Sequence, residues 1–283
     1  MRFATISGRL SLITTSETVI DLTRASRGRF GPDIQDAYER WDELLEFCTT
    51  VTEAGIPLSD FPTTEFGNPA PRPRQVFAIG LNYADHAAES SFAVPEEPPV
   101  FTKFATSLAD PYGTITLVPG KVDWEVELVV VIGRPAHHIA APDAWRHVAG
   151  VAVGQDISER VRQQVGPAPQ FSMGKSFPGF GPIGPMLVTP DEFDDPDDLE
   201  LGCLINDEQM QQGRTADMVF PVPELIARLS AITPLLPGDV IFTGTPAGVG
   251  LGRTPQRFLS PGDELVSYVR GIGEMRHLMV AGH

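Results

Sequence analysis

Two glutamates stand two residues apart inside an otherwise apolar stretch, DWEVELVVVIG, at residues 123–133. Side chains alternate between the faces of an extended strand, so Glu125 and Glu127 share a face and their bases lie roughly 7 Å apart. The opposite face then carries Trp124, Val126 and Leu128. Two anions beside a valine-rich run need a cation, a shared proton or open water. The stretch therefore predicts a strand of the hydrophobic core that also carries a charged site.

The composition limits the classes of protein to which the chain can belong. With 283 residues, 42% of them hydrophobic, the chain can bury a sizeable core in one large domain, or in one large and one small domain. The formal charge of −16 argues against a nucleic-acid partner and against an anionic membrane surface, because no basic field would attract either. Binding of an acidic substrate would need a local positive charge, such as a metal ion.

Cysteine usage and the apolar runs indicate the compartment. Cys48 and Cys203 are far apart and outside any CxxC pattern, so neither a thiolate zinc site nor a disulfide framework is indicated. The first residues lack the uninterrupted apolar stretch of a signal peptide, and the longest apolar runs are too short to span a bilayer. We therefore expect a cytoplasmic protein.

A proline-rich segment, NPAPRPR at residues 68–74, is the best candidate boundary, because alternating prolines cannot continue a helix or a central strand. Residues 1–70 predict a small N-terminal α/β accessory domain, with short apolar runs followed by a helical segment at 34–51. The apolar positions of that helix are Ile34, Ala37, Trp41, Leu44, Leu45, Cys48 and Val51. Residues 71–283 then form the main domain.

The main domain has the pattern of short strands separated by turns. The runs QVFAIG, ELVVVIG, HVAGVAVG, LGCLIN, DVIFTG and ELVSYV predict strands, and two Pro-Gly pairs, at 237–238 and 261–262, suit type II turns. A helix is predicted in PVPELIARLSAIT, with an apolar stripe of Leu225, Ile226, Leu229 and Ile232. This balance predicts a β-rich α+β fold whose loops carry the site.

A third carboxylate completes a set with the two glutamates. Asp156 lies at the end of the apolar run HVAGVAVG, so that it can leave a neighbouring strand close to Glu125 and Glu127. An all-oxygen pocket of this kind suits a hard divalent cation, and magnesium keeps coordination positions open for water and substrate. Spacing alone leaves two alternatives open: a strand that faces solvent, and a glycosidase-like carboxylate pair.

Other polar residues fall in suggestive positions. His86 and Glu89 are three residues apart, which places them on one face of a helical turn and suits proton abstraction from water, although such pairs are more often surface residues. Lys175, in MGKSF, could be an ordinary surface lysine. The glycines of TGTPAGVG, at 243–250, fit either tight turns or a nest of backbone amides for a carboxylate.

Six motifs in order resemble the fumarylacetoacetate hydrolase family. GLNYADHAAES is similar to the family's Gly-Leu-Asn-Tyr-x-x-His-x-x-Glu signature, DWEVELVVVIG to its Glu-x-Glu metal strand, and GQDISER to its third-ligand loop. MGKSFPGFGPIGP, LPGDVIFTGTPAGVG and SPGDEL are similar to its later motifs. The resemblance covers nearly the whole main domain and implies the family's mixed β-sandwich roll in a homodimer.

The resemblance also implies roles for the candidate residues. His86 would be the general base and Glu89 its partner, on a mobile lid, while the Lys175 ammonium would stabilise a developing oxyanion. The metal ligands, for Mg²⁺ or for Mn²⁺ or Ca²⁺ in its place, would be Glu125, Glu127 and Asp156. The substrate contacts would come from Arg160, Gln163, Gly244 and Thr245.

The sequence departs from the family pattern in a few places. Val161 stands where the family often has an acid, and Asp207 where it usually has glycine. No match exists for the upstream fourth acidic ligand of members that resemble the founding hydrolase. The resemblance thus places the chain nearer the three-carboxylate branch, with acylpyruvase- or isomerase-like members.

The expected activity is Mg²⁺-dependent hydrolysis of a carbon-carbon bond in a small 2,4-dioxo acid, of acylpyruvate or fumarylpyruvate type, through a metal-stabilised enolate. The same site could isomerise or decarboxylate an unsaturated 2-oxo diacid, since these reactions share an enolate. An alternative of another class is a non-catalytic binding protein on the same fold. The expected partner is therefore a small 2-oxo acid.

Overall fold

The computed structural model describes residues 1–52, 54–89 and 93–282. Its strands are β1 Arg2–Ile6, β2 Arg9–Ile13, β3 Thr18–Asp21, β4 Ile56–Pro57, β5 Phe66–Gly67, β6 Val76–Ile79, β7 Val100–Thr102, β8 Leu108–Ala109, β9 Tyr112–Leu117, β10 Val122–Asp123, β11 Val126–Ile132, β12 Val148–Gln155, β13 Ser158–Glu159, β14 Gly181–Val188, β15 Glu200–Ile205, β16 Glu208–Arg214, β17 Val240–Phe242, β18 Glu264–Val269 and β19 Gly273–Ala281. Its α-helices are α1 Leu22–Ala25, α2 Ile34–Ala37, α3 Trp41–Cys48, α4 Ala84–Glu89, α5 Arg160–Gln163, α6 Phe171–Gly174 and α7 Val222–Ile232.

Two sheets dominate the described structure. The larger has twelve strands; ten follow the path β4-β3-β2-β1-β14-β12-β11-β17-β6-β7, with β5 beside β1 and β8 beside β14. The second sheet has the order β16-β15-β18-β19-β9, and β10 and β13 form a separate pair. The strands predicted in the main domain are present, and the β-rich α+β fold expected from the sequence is confirmed.

Strand β11 lies between β12 and β17 and is buried along its whole length, because both of its faces are covered. Its even-numbered residues, such as Val126 and Leu128, belong to a core shared with the second sheet. Its odd-numbered residues Val129 and Val131 belong to another core, formed with the N-terminal helices and strands. The strand therefore joins the two apolar layers of the molecule.

The N-terminal segment extends the large sheet rather than forming a sheet of its own. Strand β1 pairs antiparallel with both β2 and β14, so β1–β4 and the main-domain strands are continuous. The division at residue 70 stays a prediction, although the two segments share hydrogen-bonded strands and a core.

The helix predicted at 34–51 is two helices, α2 and α3, joined by a 3₁₀ turn over Tyr38–Arg40. The interruption falls at Arg40, whose φ of −131° and ψ of 35° lie outside the helical region. Trp41 is buried immediately after it, with ring centroids 5.0 Å from Phe3 and 5.2 Å from Tyr38. The predicted helical region is present, but it is interrupted at Arg40 and ends at Cys48 instead of at residue 51.

The two Pro-Gly turns and the apolar stripe of α7 were also predicted from the sequence. Both Pro-Gly pairs form type II turns, since Gly238 and Gly262 have φ of +84° and +94° and the flanking residues close the expected backbone hydrogen bonds. The apolar stripe of α7 was wrong at Ile232, which is 87% exposed at the last position of the helix. No helix in the described residues is long and apolar enough to cross a bilayer.

Several strands of the large sheet begin or end at the same edge. Because β11 and β12 are antiparallel and Val126 pairs with Gln155, β11 begins where β12 ends. Strand β17 is antiparallel to β11 and β6 is parallel to β17, so both end at the same edge. The segments that follow β6, β12 and β17 therefore meet the first residues of β11.

Replacing Trp41 with Ala tests whether the N-terminal layer folds with the sheet. We expect a loss of about 3–5 kcal/mol of unfolding free energy, because a buried indole packed on two rings is removed. Chemical denaturation followed by far-UV circular dichroism should keep one transition, shifted to lower denaturant. Ile232→Ala, at an exposed position, is the control and should shift little. A separate early transition confined to part of the signal would contradict shared folding.

Candidate active site

Three carboxylates converge at the edge where β11 begins. Glu125 immediately precedes β11, Glu127 lies on it, and Asp156 immediately follows β12. One oxygen from each lies within 4.8 Å of the others, and the three residues are buried, with exposures of 4%, 1% and 0%. The Asp156 backbone N–H donates to the Glu125 carbonyl at 2.9 Å, which ties the two segments together. The period-two pattern and the strand ends thus bring the three acids to one point.

Two of the carboxylates are paired with buried cations. The Lys175 Nζ donates to Glu125 Oε2 and to Asp156 Oδ2, each at 2.6 Å. Arg160 Nη1 lies 2.7 Å from Glu125 Oε1, and Lys103 Nζ lies 2.7 Å from Asp156 Oδ1. Burial opposes ionisation of Glu125, but Lys175 and Arg160 outweigh it and lower its pKa to about 2. Glu125 is therefore held as an anion.

Glu127 is in a different environment from the other two acids. It has no ion pair within the part of the chain that the structure describes, and it accepts one hydrogen bond, from the Gly244 backbone N–H at 2.8 Å. Burial, followed by the negative charges of Asp156 and Glu125, raises its pKa well above the ordinary value. The carboxyl group lacks the compensation that a buried anion needs.

A divalent cation fits this donor set. Three buried carboxylate oxygens, close together and hard, are the ligands that Mg²⁺ and Mn²⁺ take in proteins. The cation would supply the positive charge that Glu127 lacks. A solvent-facing strand is wrong, because both glutamates are buried.

The His86–Glu89 pair lies on α4, which follows β6 at the same edge. His86 Nδ1 is 2.8 Å from Glu89 Oε1, and the Gly248 N–H donates to both oxygens of Glu89, at 2.9 and 3.1 Å. An ionised Glu89 can only accept a hydrogen bond, so this contact favours the tautomer of neutral imidazole that has its proton on Nδ1 and its lone pair on Nε2. The helical spacing of the pair produces the contact expected from the sequence.

A small cavity of about 40 Å³ lies among these groups. Its polar lining comes from His86, Glu125, Arg160, Gln163, Gln164, Lys175 and Thr245. Arg160 Nη2 is buried and has no hydrogen-bond partner in the described structure. Gly244 is not among the lining residues; its N–H is used by Glu127. Most candidate residues from the sequence are thus brought to one polar cavity.

Two buried charged residues beside the carboxylates were not predicted from the sequence. Asp123 is fully buried and accepts from Arg160 Nε at 2.8 Å and from the Gly250 and Leu251 backbone N–H groups at 2.7 and 2.9 Å. Lys103 is also buried against Asp156. Their only local signal was a charged residue inside or beside an apolar run, in VDWEVE and VFTKF.

Both departures from the family pattern lie away from these contacts. Val161 is 54% exposed on α5, and Asp207 is exposed in the turn between β15 and β16 with φ of +65°. Aspartate tolerates this left-handed conformation better than most residues. Neither residue lines the cavity.

Comparisons with known proteins add independent information. Residues 75–280 match the family model described as fumarylacetoacetate (FAA) hydrolase C-terminal. The human mitochondrial oxaloacetate tautomerase FAHD2A is 43% identical over 237 residues, which cover 83% of this chain and 76% of that protein.

Two of the similar solved structures match over the whole chain. A protein from Mycobacterium smegmatis is 53% identical, with a TM-score of 0.95 and complete coverage of both chains. Maleylpyruvate hydrolase from Sphingobium sp. SYK-6, solved with manganese(II) and pyruvate, is 29% identical, with a TM-score of 0.80 and complete coverage of both chains.

The state of Glu127 predicts that metal binding depends on pH. In metal-free protein, the folded state binds the Glu127 proton more tightly than the unfolded state does, because the folded-state pKa is raised. The resulting contribution to the free energy of unfolding is complete below pH 4.5, the ordinary pKa, and is lost as the pH rises through the folded-state pKa. A cation must displace the same proton, so Mn²⁺ affinity should rise with pH, by up to about tenfold per unit for one proton released.

Titration calorimetry in buffers of different ionisation enthalpy measures this proton release directly. Glu127→Gln is the matched variant: it should bind Mn²⁺ more weakly and release no proton from this position. An equal proton release from wild type and variant would show that Glu127 is not the group that titrates.

Proposed function

This chain belongs to the fumarylacetoacetate hydrolase family, and from that membership we propose that it is a divalent-metal-dependent enzyme that interconverts a small 2-oxo acid and its enol form. The human tautomerase and the maleylpyruvate hydrolase are enzymes, so the expectation of a catalyst is confirmed and the non-catalytic alternative is set aside. The observation that carries the proposal is the buried carboxylate cluster, with Glu127 lacking a cation among the described residues.

The three carboxylates are the proposed metal ligands, and Mg²⁺ is the proposed ion. When bound, the cation supplies Lewis-acid polarisation and orientation of the substrate's carboxylate and neighbouring oxygen. Mn²⁺ should substitute, since it takes similar oxygen ligands. The fully buried ligand set excludes bulk water, which strengthens every electrostatic interaction in the site.

His86 is the proposed general base. Its Nε2 lone pair is left free because Nδ1 is engaged by Glu89, and the ring lines the cavity. Glu89 stabilises the imidazolium formed when His86 takes a proton from the carbon next to the 2-oxo group. The two Gly248 hydrogen bonds hold the Glu89 carboxylate, so the base is oriented before the substrate arrives.

Cationic side chains would bind and stabilise the negative charge of the substrate. Lys175 lines the cavity and can offer its ammonium to a developing enolate oxygen. Arg160 has one buried guanidinium nitrogen free to donate, which suits a substrate carboxylate, and Gln163 orients the same guanidinium through a 3.1 Å bond. Thr245 also lines the cavity, and the N–H of the preceding Gly244 is used by Glu127.

A 2-oxo diacid of oxaloacetate type is the first candidate substrate. The relatives that share 41–44% of residues with this chain include oxaloacetate tautomerases. Tautomerisation requires a proton to leave one carbon and a proton to return to an oxygen, which one base in a water-poor cavity can perform. Isomerisation or decarboxylation of a related diacid would use the same enolate.

Hydrolysis of a 2,4-dioxo acid is the second candidate, favoured by the likeness to maleylpyruvate hydrolase. His86 would take a proton from water, and the resulting hydroxide would add to the 4-oxo carbon. Cleavage of the C3–C4 bond would give a carboxylic acid and a pyruvate enolate, which then takes up a proton. Because the enolate and the base are common to both candidates, only the substrate separates them.

Removing and restoring the metal tests the proposal. After treatment with a chelator, the protein should lose its activity, and Mg²⁺ or Mn²⁺ should restore it. Loss of enol absorbance measures ketonisation of enol-oxaloacetate and cleavage of an acylpyruvate in one assay format. Full activity in the presence of chelator would contradict metal dependence, and a faster turnover of the acylpyruvate would favour the hydrolase.

Replacing the base gives a second test. His86→Gln should lower kcat by about 10²–10⁴-fold, since general base catalysis is lost, while Mn²⁺ affinity stays close to that of wild type. His137→Gln is the matched control, because His137 is exposed and away from the cavity. A His86→Gln enzyme with unchanged kcat would remove His86 from the mechanism.

A further inference from the structure

The glycine-rich loop after β17 binds two carboxylates of the protein itself. The Gly248 N–H donates to both oxygens of Glu89, at 2.9 and 3.1 Å. The Gly250 and Leu251 N–H groups donate to Asp123, at 2.7 and 2.9 Å. The sequence pattern of this loop fits either tight turns or amides that bind a carboxylate, and these amides are used by α4 on one side and by β10 on the other.

The side of the loop that faces β10 is firmly held. Asp123 is fully buried and also accepts from the Trp124 backbone N–H at 2.9 Å and from Arg160 Nε at 2.8 Å. The Trp124 indole N–H donates to the Gly248 carbonyl at 3.2 Å. A shift of the loop would break several of these hydrogen bonds, and buried groups left without a partner are costly.

Gly252, at the end of the same loop, leaves the space that the Glu89 carboxylate occupies. A β-carbon built at Gly252 would lie 2.8 Å from Glu89 Oε2 and 2.9 Å from Glu89 Cδ and Cγ. Carbon atoms in favourable contact are about 3.5–4.0 Å apart, so a methyl group at this position and the carboxylate exclude each other. Because the loop is held from its other side, Glu89 is the group that would move.

The backbone conformation does not itself require glycine at this position. Gly252 is not among the glycines with positive φ, so alanine can adopt its backbone conformation. The close approach of Glu89 is then the reason for a glycine. Glu89 Oε1 is also 2.8 Å from His86 Nδ1, so a movement of the carboxylate would disturb the imidazole as well as the bonds to Gly248.

We propose that Gly252 is a positioning residue for the general base: because it has no side chain, Glu89 can lie on the Gly248 amide, and from there Glu89 orients His86. The inference rests on the proposed function, in which His86 takes the proton. Asp123 supports the same arrangement, since it holds the loop against which Glu89 lies.

Gly252→Ala tests this role, because it adds one methyl group against Glu89. The alternative is that Gly252 only allows the loop to pack, with no effect on the base. Gly31→Ala is the matched control: Gly31 also lacks a positive φ, and a β-carbon there would meet no atom within 4 Å. Thermal unfolding and Mn²⁺ affinity check that each variant is folded.

Hydrogen exchange of the metal-free protein, followed by mass spectrometry, measures whether the loop holds α4. Gly252→Ala should make the amides of α4 exchange about 2- to 12-fold faster, the range for one net hydrogen bond. Peptides from β11 should exchange as in wild type, and Gly31→Ala should change neither region.

Steady-state kinetics with Mn²⁺ and either enol-oxaloacetate or an acylpyruvate measure the effect on the base. Gly252→Ala should lower kcat by about 10- to 100-fold, because the base is misplaced, and should change KM by less than about twofold. In a Glu89→Ala background the same substitution should have no further effect on kcat or on α4 exchange, since the carboxylate that it displaces is gone.

The two backgrounds distinguish positioning from a merely structural role. An unchanged kcat in Gly252→Ala, or equal losses of kcat with and without Glu89, would overturn the role given to Gly252. If Gly252→Ala is too unstable for kinetics, thermal stability is compared instead: a loss that disappears in the Glu89→Ala background supports the contact, and a loss that persists overturns it.

The outcomes also separate this inference from the function on which it rests. If the Mn²⁺-loaded wild type turns over neither substrate, the proposed function fails. Exchange of α4 then still decides whether Gly252 sets the position of Glu89, because that measurement needs neither metal nor substrate.

Discussion

The burial of three carboxylates at one strand edge is the constraint around which the site is arranged. Water cannot stabilise them, so each needs a compensating group from the protein or from a bound cation. Lys175 bridges Glu125 and Asp156, and Arg160 adds a second cation to Glu125. Glu127 receives one backbone N–H and, within the described chain, no cation. This asymmetry is the reason for proposing Glu127 as the carboxyl group that a bound cation would compensate.

Strand β11 has two roles at this edge: it packs in the core and it carries the two glutamates. Along one face, valines pack under the N-terminal layer, and the same face ends in the two glutamates. The regular β11 ladder begins at Val126, and there side-chain amides take over: Gln155 accepts from the Glu125 N–H at 2.9 Å and Gln211 from the Val126 N–H at 3.0 Å. Hydrogen bonds to side-chain amides therefore hold the backbone where β11 begins, and this would position the proposed metal ligands.

Sequence periodicity predicted the parts of the site that depend on local geometry. Alternation along a strand placed Glu125 and Glu127 on one face, and helical spacing placed His86 beside Glu89. Periodicity could not predict contacts between distant segments, because no local pattern shows that Lys103 contacts Asp156, 53 positions away. The continuity of the N-terminal strands with the main sheet was missed for the same reason, because strand pairing is decided by partners that a single run of residues does not contain.

The charges of the site bear on how an acidic protein could bind the acidic ligand that we propose. The cluster consists of the carboxyl groups of Asp123, Glu125, Glu127 and Asp156 and the cations of Lys103, Lys175 and Arg160. With every group ionised, anions exceed cations by one, and a proton on Glu127 would make the cluster neutral. A divalent cation in place of that proton would make the cluster positive by one unit. With a formal protein charge of −16, this local change of sign would attract the dianion that we propose as substrate, and the proposed function therefore implies that the metal binds first.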